Sequence, residues 1–291
     1  MKILIADAFD AALPERLKKF GEVTSDPSAL ASAEVVLVRS KTKCTKEYID
    51  QAPNLKLIIR GGVGTDNIDK EAAKARGVQV KNTPKASSPA VAELAFALML
   101  AIPNKLIEAH NTTKEGKFLK NEIKRTELLG KTLGLIGVGR IGTEMAKRAR
   151  AFGMKVIGTD KVVTQSEFVE MKPYDEVLAK SDYLSMHTPL TDETRCMIDK
   201  AAIGRMKDGV AIVNTGRGKC IVEDDMVEAL KSGKVKAYAT DVWYSDPPDP
   251  ACPLLTAPNV IMTPHLGAST KENLLRIGDE VVELLEAFTK K

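Results

Sequence analysis

Gly137, Gly139 and Gly142 punctuate the segment LGLIGVGRIG, and a lone carboxylate, Asp160, closes the next apolar run eighteen residues beyond the last of them. With this spacing a βα turn can bring backbone N–H groups onto a pyrophosphate at the positive end of a helix. The acid at the end of the following strand can then accept from both hydroxyls of an adenosine ribose. Leu133, Leu135 and Ile136 read as the buried strand, and Ile141, Met145, Ala149 and Phe152 recur at helical spacing. Arg140 and Ile141 open that helix and join the glycines around the expected dinucleotide. The charge on Asp160 would repel a 2′-phosphate, so NAD is the expected cofactor; the neighbouring Lys161 works slightly against that preference.

A hydride transfer from an alcohol needs a base for the hydroxyl proton, a cation for the substrate and a carboxylate to tune the base. The polar clusters His187–Pro189, Asn214–Gly218, Thr240–Trp243 and Thr263–Thr270 follow apolar runs, where strands end and ligands bind. Thr188, Pro189, Thr215, Gly216, Asp241, His265, Gly267 and Ala268 are expected around the nicotinamide end of the cofactor. Only three histidines exist. His110, in the polar stretch EAHNTTKEG, reads as a surface residue, and His187 as a hydrogen-bonding or packing residue near the cofactor. His265 begins a glycine-containing loop after the last strand and is the candidate acid/base. Arg217, flanked by Gly216 and Gly218, can aim its fork of donors at a carboxylate. Asp246, which starts DPPDP, is the candidate partner of His265, with Asp241 and Asp249 close by in sequence.

The elements that must position these groups alternate. Apolar runs ending near Asp7, Ser40, Gly61 and Pro84, and then near Gly137, Asp160, Pro189, Gly216, Trp243 and Pro264, alternate with helical patterns. The fold expected is α/β, with two doubly wound parallel-sheet domains in tandem. Ser87–Pro103 reads as a mostly apolar helix that crosses from one domain to the other, with Glu93 as a partly exposed carboxylate. A last helix from about Ser269 is expected to pack back on the first domain, making it discontinuous: residues 1–96 with 268–291 for substrate, and 97–267 for NAD.

The 291 residues suit two domains, and a net charge of +4 without a long block of like charge gives no nucleic-acid arm. Cys44, Cys196, Cys220 and Cys252 are scattered without a C-x-x-C pair, so reduced thiols in a cytoplasmic protein without a metal site are expected. MKILIADAFD lacks the apolar core of a signal peptide, and no run approaches the ~20 residues of a membrane span. The expected protein is therefore soluble and not exported, with a small anionic partner and neither nucleic acid nor membrane.

The combination of NTGRG, DVWYSDPP and TPHLGAST downstream of GVGRIG and Asp160 resembles the D-isomer-specific 2-hydroxyacid dehydrogenases, from RGGVGTDNID at Arg60 to the C-terminal helix. The resemblance implies a flavodoxin-like substrate domain and a Rossmann NAD domain, with Arg217 binding substrate and His265 as acid/base. Its acidic member, usually glutamate, falls on Asp246. RGGVGTDNID and HLGASTKEN are most similar to the branch that oxidises 3-phosphoglycerate, which would set Arg60 against the phosphate. The backbone N–H groups of Gly61, Gly62, Val63 and Gly64 would hold the carboxylate. Ser87 stands where many relatives have asparagine, and without a regulatory domain after the catalytic core no serine-feedback site is expected. Glyoxylate or hydroxypyruvate reduction is the alternative chemistry, and a non-enzymatic NAD sensor the alternative of another class. The resemblance also implies a homodimer through the NAD domain, with Gly116–Gly130 as an arm whose Lys120 or Arg125 could reach a neighbouring active site.

Overall fold

The computed structural model describes residues 1–290, which divide into two compact units: Met1–Ala90 with the chain from Ala268 on, and Val91–Gly267. The division falls inside a helix, six residues before the 96/97 boundary expected.

The first unit holds β1 (Lys2–Ile5), β2 (Glu22–Thr24), β3 (Val35–Val38), β4 (Leu57–Arg60) and β5 (Gln79–Asn82), with α1 (Leu13–Leu17), α2 (Lys46–Asp50) and α3 (Lys70–Ala75) between them. The five strands are parallel in the order β2-β1-β3-β4-β5, the flavodoxin-like winding. Val35–Val38 is buried throughout, as a central parallel strand must be. Thr45 and Asp69 cap α2 and α3 with side-chain oxygens.

The helix across the division is α4 (Ser88–Asn104), followed by α5 (Leu106–Lys114). The second unit continues with β6 (Thr132–Ile136), α6 (Arg140–Ala151), β7 (Lys155–Thr159), β8 (Glu170–Met171), α7 (Tyr174–Lys180), β9 (Tyr183–Met186), α8 (Lys200–Arg205), β10 (Val210–Asn214), α9 (Glu223–Ser232), β11 (Val235–Thr240) and β12 (Val260–Met262). All seven strands are parallel in the order β12-β11-β10-β9-β6-β7-β8. The order reverses between β6 and β9, the switch point at which a dinucleotide fold opens its crevice. The expected fold of two doubly wound parallel sheets is the observed one. Two strands escaped the sequence reading, β2 and β8; at three and two residues on sheet edges, neither needs the apolar run that marks a buried strand.

α10 (Lys271–Thr289) closes the chain, capped by Thr270, whose hydroxyl accepts from the Asn273 N–H. Its Ile277, Val281 and Leu285 join Ile3, Val35, Leu37 and Ile59 in the core of the first unit. In the second unit Phe96 and Met99 of α4 pack with Leu133, Leu135, Met145 and Ala149. No single helix among the described residues is long and apolar enough to cross a membrane.

Candidate active site

The three glycines after β6 are needed for three different reasons. Gly137 has φ +93°, and a Cβ there would stand 2.8 Å from the His187 carbonyl carbon. At Gly142 a Cβ would stand 2.2 Å from the Gly137 oxygen, so helix α6 could not approach the strand. At Gly139, the N-cap of α6, a Cβ would meet nothing. That open space at the N-terminus of a twelve-residue helix, beside exposed Arg140, suits a pyrophosphate. Asp160 follows β7, and its carboxylate accepts from the N–H groups of Val138 (2.8 Å), Val162 (2.8 Å) and Val163 (2.9 Å). Partial burial works against its charge, but these three donors hold its carboxyl below the usual range. Asp160 therefore ties the glycine turn to the end of β7 and keeps further acceptor capacity on its carboxylate. Lys161 is engaged by Glu193 at 2.7 Å and so is balanced locally.

His187 packs beneath this turn. Its Nε2 lies 3.0 Å from the Ser185 hydroxyl and its Nδ1 3.5 Å from that of Thr215, and burial pushes its pKa down to about 4. The ring is neutral near pH 7, which suits a packing group. Thr188 touches the buried Cys220 thiol at 4.0 Å, and Pro189, exposed, accepts from Thr194.

Arg217 leaves the end of β10 in an extended conformation and donates from Nη1 to the Gly216 carbonyl at 2.7 Å. Gly218 is forced, because a Cβ there would stand 2.3 Å from the Trp243 backbone. Beneath the loop lies fully buried Asn214, whose amide bonds the Gly216 N–H and the Arg217 carbonyl.

The loop after β12 carries His265 at φ +56°, a left-handed conformation that non-glycine residues avoid. Its Nδ1 lies 2.5 Å from Asp246 Oδ2, a pairing that leaves Nε2 as the ring nitrogen available to a ligand. Asp246 thus reaches the imidazole despite being shorter than glutamate. The other two acids serve elsewhere: Asp249 accepts from the Ala251 N–H, and Asp241 holds the loop itself. Buried Asp241 accepts from the Thr263 hydroxyl (2.6 Å) and from the N–H groups of Leu266 (2.7 Å) and Gly267 (2.8 Å). These bonds clamp the residues on both sides of His265. The sequence reading missed that role; the signal available was an acid directly after the largely apolar run 237–240, at a strand end.

In the first unit, Arg60 ends β4 and the loop turns back through Gly62 at φ +145°. A Cβ on Gly62 would stand 1.6 Å from an Arg60 nitrogen. The expected four-donor cradle loses one member here: the Gly61 N–H donates to the Val38 carbonyl at 2.8 Å, continuing the β3–β4 ladder. Gly62, Val63 and Gly64 remain. Ala268, expected beside the cofactor, belongs to this unit, and its carbonyl accepts from Arg39 (3.0 Å) and Asn273 (2.8 Å). Half-buried Arg39 follows β3 as Arg60 ends β4, a second cation at a strand terminus that the same rule could have found. Ser87 is buried, with its hydroxyl accepting from Asn273 at 3.2 Å.

Outside these sites, Glu93 is an exposed partner of Arg148 at 3.0 Å, and Arg125 donates to Asn104 at 2.9 Å. All four cysteines are free thiols, and no three potential metal ligands gather among the described residues.

Residues 96–267 match the family model described as the D-isomer specific 2-hydroxyacid dehydrogenase, NAD binding domain. A hydroxypyruvate reductase of Thermotoga maritima is 49% identical over 257 residues, 87% of this chain and 84% of that protein. A D-3-phosphoglycerate dehydrogenase of Methanocaldococcus jannaschii is 43% identical over 98% of the chain, which spans 57% of that protein's length. Among solved structures, the D-lactate dehydrogenase of Aquifex aeolicus, complexed with NAD and lactic acid, superposes with a TM-score of 0.89 at 32% identity over 100% of this chain and 96% of its own.

Proposed function

This chain belongs to the D-isomer-specific 2-hydroxyacid dehydrogenase family, and from that premise we propose that it moves a hydride between C2 of a short D-2-hydroxy acid, 3-phosphoglycerate first, and NAD. The observation that carries the reading is the pairing of His265 with Asp246 on a loop clamped by Asp241, in the same unit as the glycine turn and Asp160.

Gly137, Gly139, Gly142 and the first turn of α6 would hold the pyrophosphate, and Asp160 the ribose. Bound NAD supplies the hydride acceptor. His265 takes the hydroxyl proton on Nε2 during oxidation and returns it during reduction, while Asp246 holds the ring in one orientation through Nδ1. Arg217 pairs with the substrate carboxylate and polarises the C2 oxygen. Arg60 is assigned the phosphate and the N–H groups of Gly62, Val63 and Gly64 the carboxylate. With that substrate the reaction would open serine biosynthesis, in the cytoplasm, where four free thiols stay reduced. Exposed apolar side chains on the second unit, Phe118 at 82% and Leu129 at 69% exposure, favour a homodimer through that unit.

Hydroxypyruvate reduction is the second reading, favoured by the 49% identity to a relative of that name. The test is a steady-state comparison of 3-phosphoglycerate, hydroxypyruvate and glyoxylate with NAD(H) and NADP(H), for wild type and Arg60→Ala. The proposal expects Arg60→Ala to weaken 3-phosphoglycerate far more than the unphosphorylated acids, and NADH to bind far better than NADPH. Equal losses on all acids would move the substrate to hydroxypyruvate, and no turnover of any acid would remove the enzymatic reading.

A further inference from the structure

Arg217 can serve a carboxylate only if its backbone is fixed, because a long side chain amplifies any shift of its Cα. The loop that carries it leaves β10 between β9 and β11 and turns at once into a 3-10 turn at Gly218–Cys220, where the Cys220 N–H donates to the Arg217 carbonyl at 3.2 Å. A second hold, made by side chains, lies underneath. Asn214 is 0% exposed, and its Oδ1 accepts from the Gly216 N–H at 3.0 Å while its Nδ2 donates to the Arg217 carbonyl at 3.0 Å and to the Tyr238 hydroxyl at 3.3 Å. The orientation of the amide is not free. Gly216 N–H can only donate and the Arg217 carbonyl can only accept, so a flipped amide would face two like partners. Tyr238, 1% exposed, sits opposite Ile212 on β11, so the brace runs from the arginine loop into the neighbouring strand. Its hydroxyl has Thr240 and Asn214 as hydrogen-bonding neighbours.

We propose that Asn214 and Tyr238 are a positioning pair for the substrate-binding arginine: the buried amide locks the 214–217 turn and the tyrosine hydroxyl locks the amide. The inference rests on the reading of Arg217 as the carboxylate-binding group. Neither side chain touches substrate; both act through the Arg217 backbone. Removing the tyrosine hydroxyl leaves Asn214 its two bonds to the turn but frees it to tilt, whereas removing the amide releases the turn. The effect should therefore be graded and confined to the acid substrate.

Steady-state kinetics on the whole enzyme test this with Tyr238→Phe, Asn214→Ala, Arg217→Lys and the double variant Asn214→Ala/Arg217→Lys, each with NADH titrated by fluorescence and the melting temperature recorded. Tyr238→Phe should raise the KM of the acid about fivefold and Asn214→Ala about twentyfold, with kcat less affected and NADH affinity within twofold of wild type. The double variant should be no more than about twofold worse than Arg217→Lys alone, because a brace has nothing left to position once the guanidinium is gone. A merely structural role predicts losses that multiply in the double variant, and that result overturns the inference. So does a wild-type KM for Tyr238→Phe, which decides the matter even if Asn214→Ala fails to fold. An Arg217→Lys enzyme with wild-type kcat/KM would instead overturn the reading of Arg217 and the inference with it.

Discussion

The loops that carry Arg217 and His265 leave β10 and β12, the two strands flanking β11, yet they are held in opposite ways. The arginine loop relies on neutral groups, Asn214 and Tyr238, and Arg217 keeps an ordinary extended backbone. The histidine loop relies on a buried carboxylate, Asp241, with three donors, and His265 sits at φ +56°. A left-handed non-glycine residue costs on the order of 1–3 kcal/mol, while a hydrogen bond to a charged group contributes about 1.5–3 kcal/mol. One charge-assisted anchor thus suffices to hold the strain. Under the proposed roles, a group that exchanges a proton at one atom must be aimed more narrowly than a cation that pairs with a delocalised carboxylate, and the sturdier anchor stands under the former.

The largest effect should come from the histidine loop. His265→Ala is expected to lower kcat by about a thousandfold, within the usual range for a general acid/base, and to leave NADH affinity unchanged. Loss of NADH binding in a fluorescence titration would show that the ring serves packing instead. Arg217→Lys is expected to lose on the order of 2–4 kcal/mol in kcat/KM, since lysine lacks the paired donors. Wild-type efficiency would remove the contrast between the loops.

Asp241→Asn bears on the anchor. The amide keeps one acceptor but turns a donor toward either the Gly267 N–H or the pair formed by Thr263 and Leu266, so stability should fall by about 2 kcal/mol in urea unfolding and kcat should fall with it. Retained stability and kcat would mean that the charge is dispensable and that the two loops are held alike.

His187 sharpens the comparison from outside both loops. Its pKa of about 4 lies below the ordinary 6.5, so in this range the unfolded chain binds the extra proton and stability rises with pH. The contribution is complete above pH 6.5 and is lost as pH falls toward 4, amounting to about 2 kcal/mol between pH 7 and pH 5. His187→Asn should flatten urea midpoints over that interval. An unchanged slope would show that the buried ring is not the group that loses out in acid. Because His187 stays neutral there, a pH dependence of turnover between 6 and 8 should persist in the variant.

Much of this molecule could be read without coordinates because the relevant physics is local. The glycine turn, its flanking strand and helix, and Asp160 at the next strand end are within a span of 28 residues, where spacing alone constrains geometry. The buried parallel strands announce themselves as apolar runs, whereas the edge strands β2 and β8 do not, since each carries a single apolar residue, Val23 and Met171. Among the carboxylates Asp241, Asp246 and Asp249, proximity in sequence could not decide which meets His265, because the contact spans 19 residues and depends on how two loops fold toward each other. Likewise the Gly61 N–H looked available until the β3–β4 register consumed it.

Residue types and their periodicity alone determined the two doubly wound sheets, the dinucleotide turn and the short roster of groups able to handle a proton or a carboxylate. Tertiary structure alone decided which of those groups meet and which are buried as anchors. Asp241 and Asp246 are the same residue five positions apart, and burial with three donors makes one an anchor while exposure beside His265 makes the other its partner. Asn214 is likewise only a polar residue at a strand end until Tyr238, 24 residues away, closes over it. A side chain's chemistry is inherent, but its role depends on how far water is excluded and on which donors the fold brings within 3 Å, and both are properties of packing between distant segments.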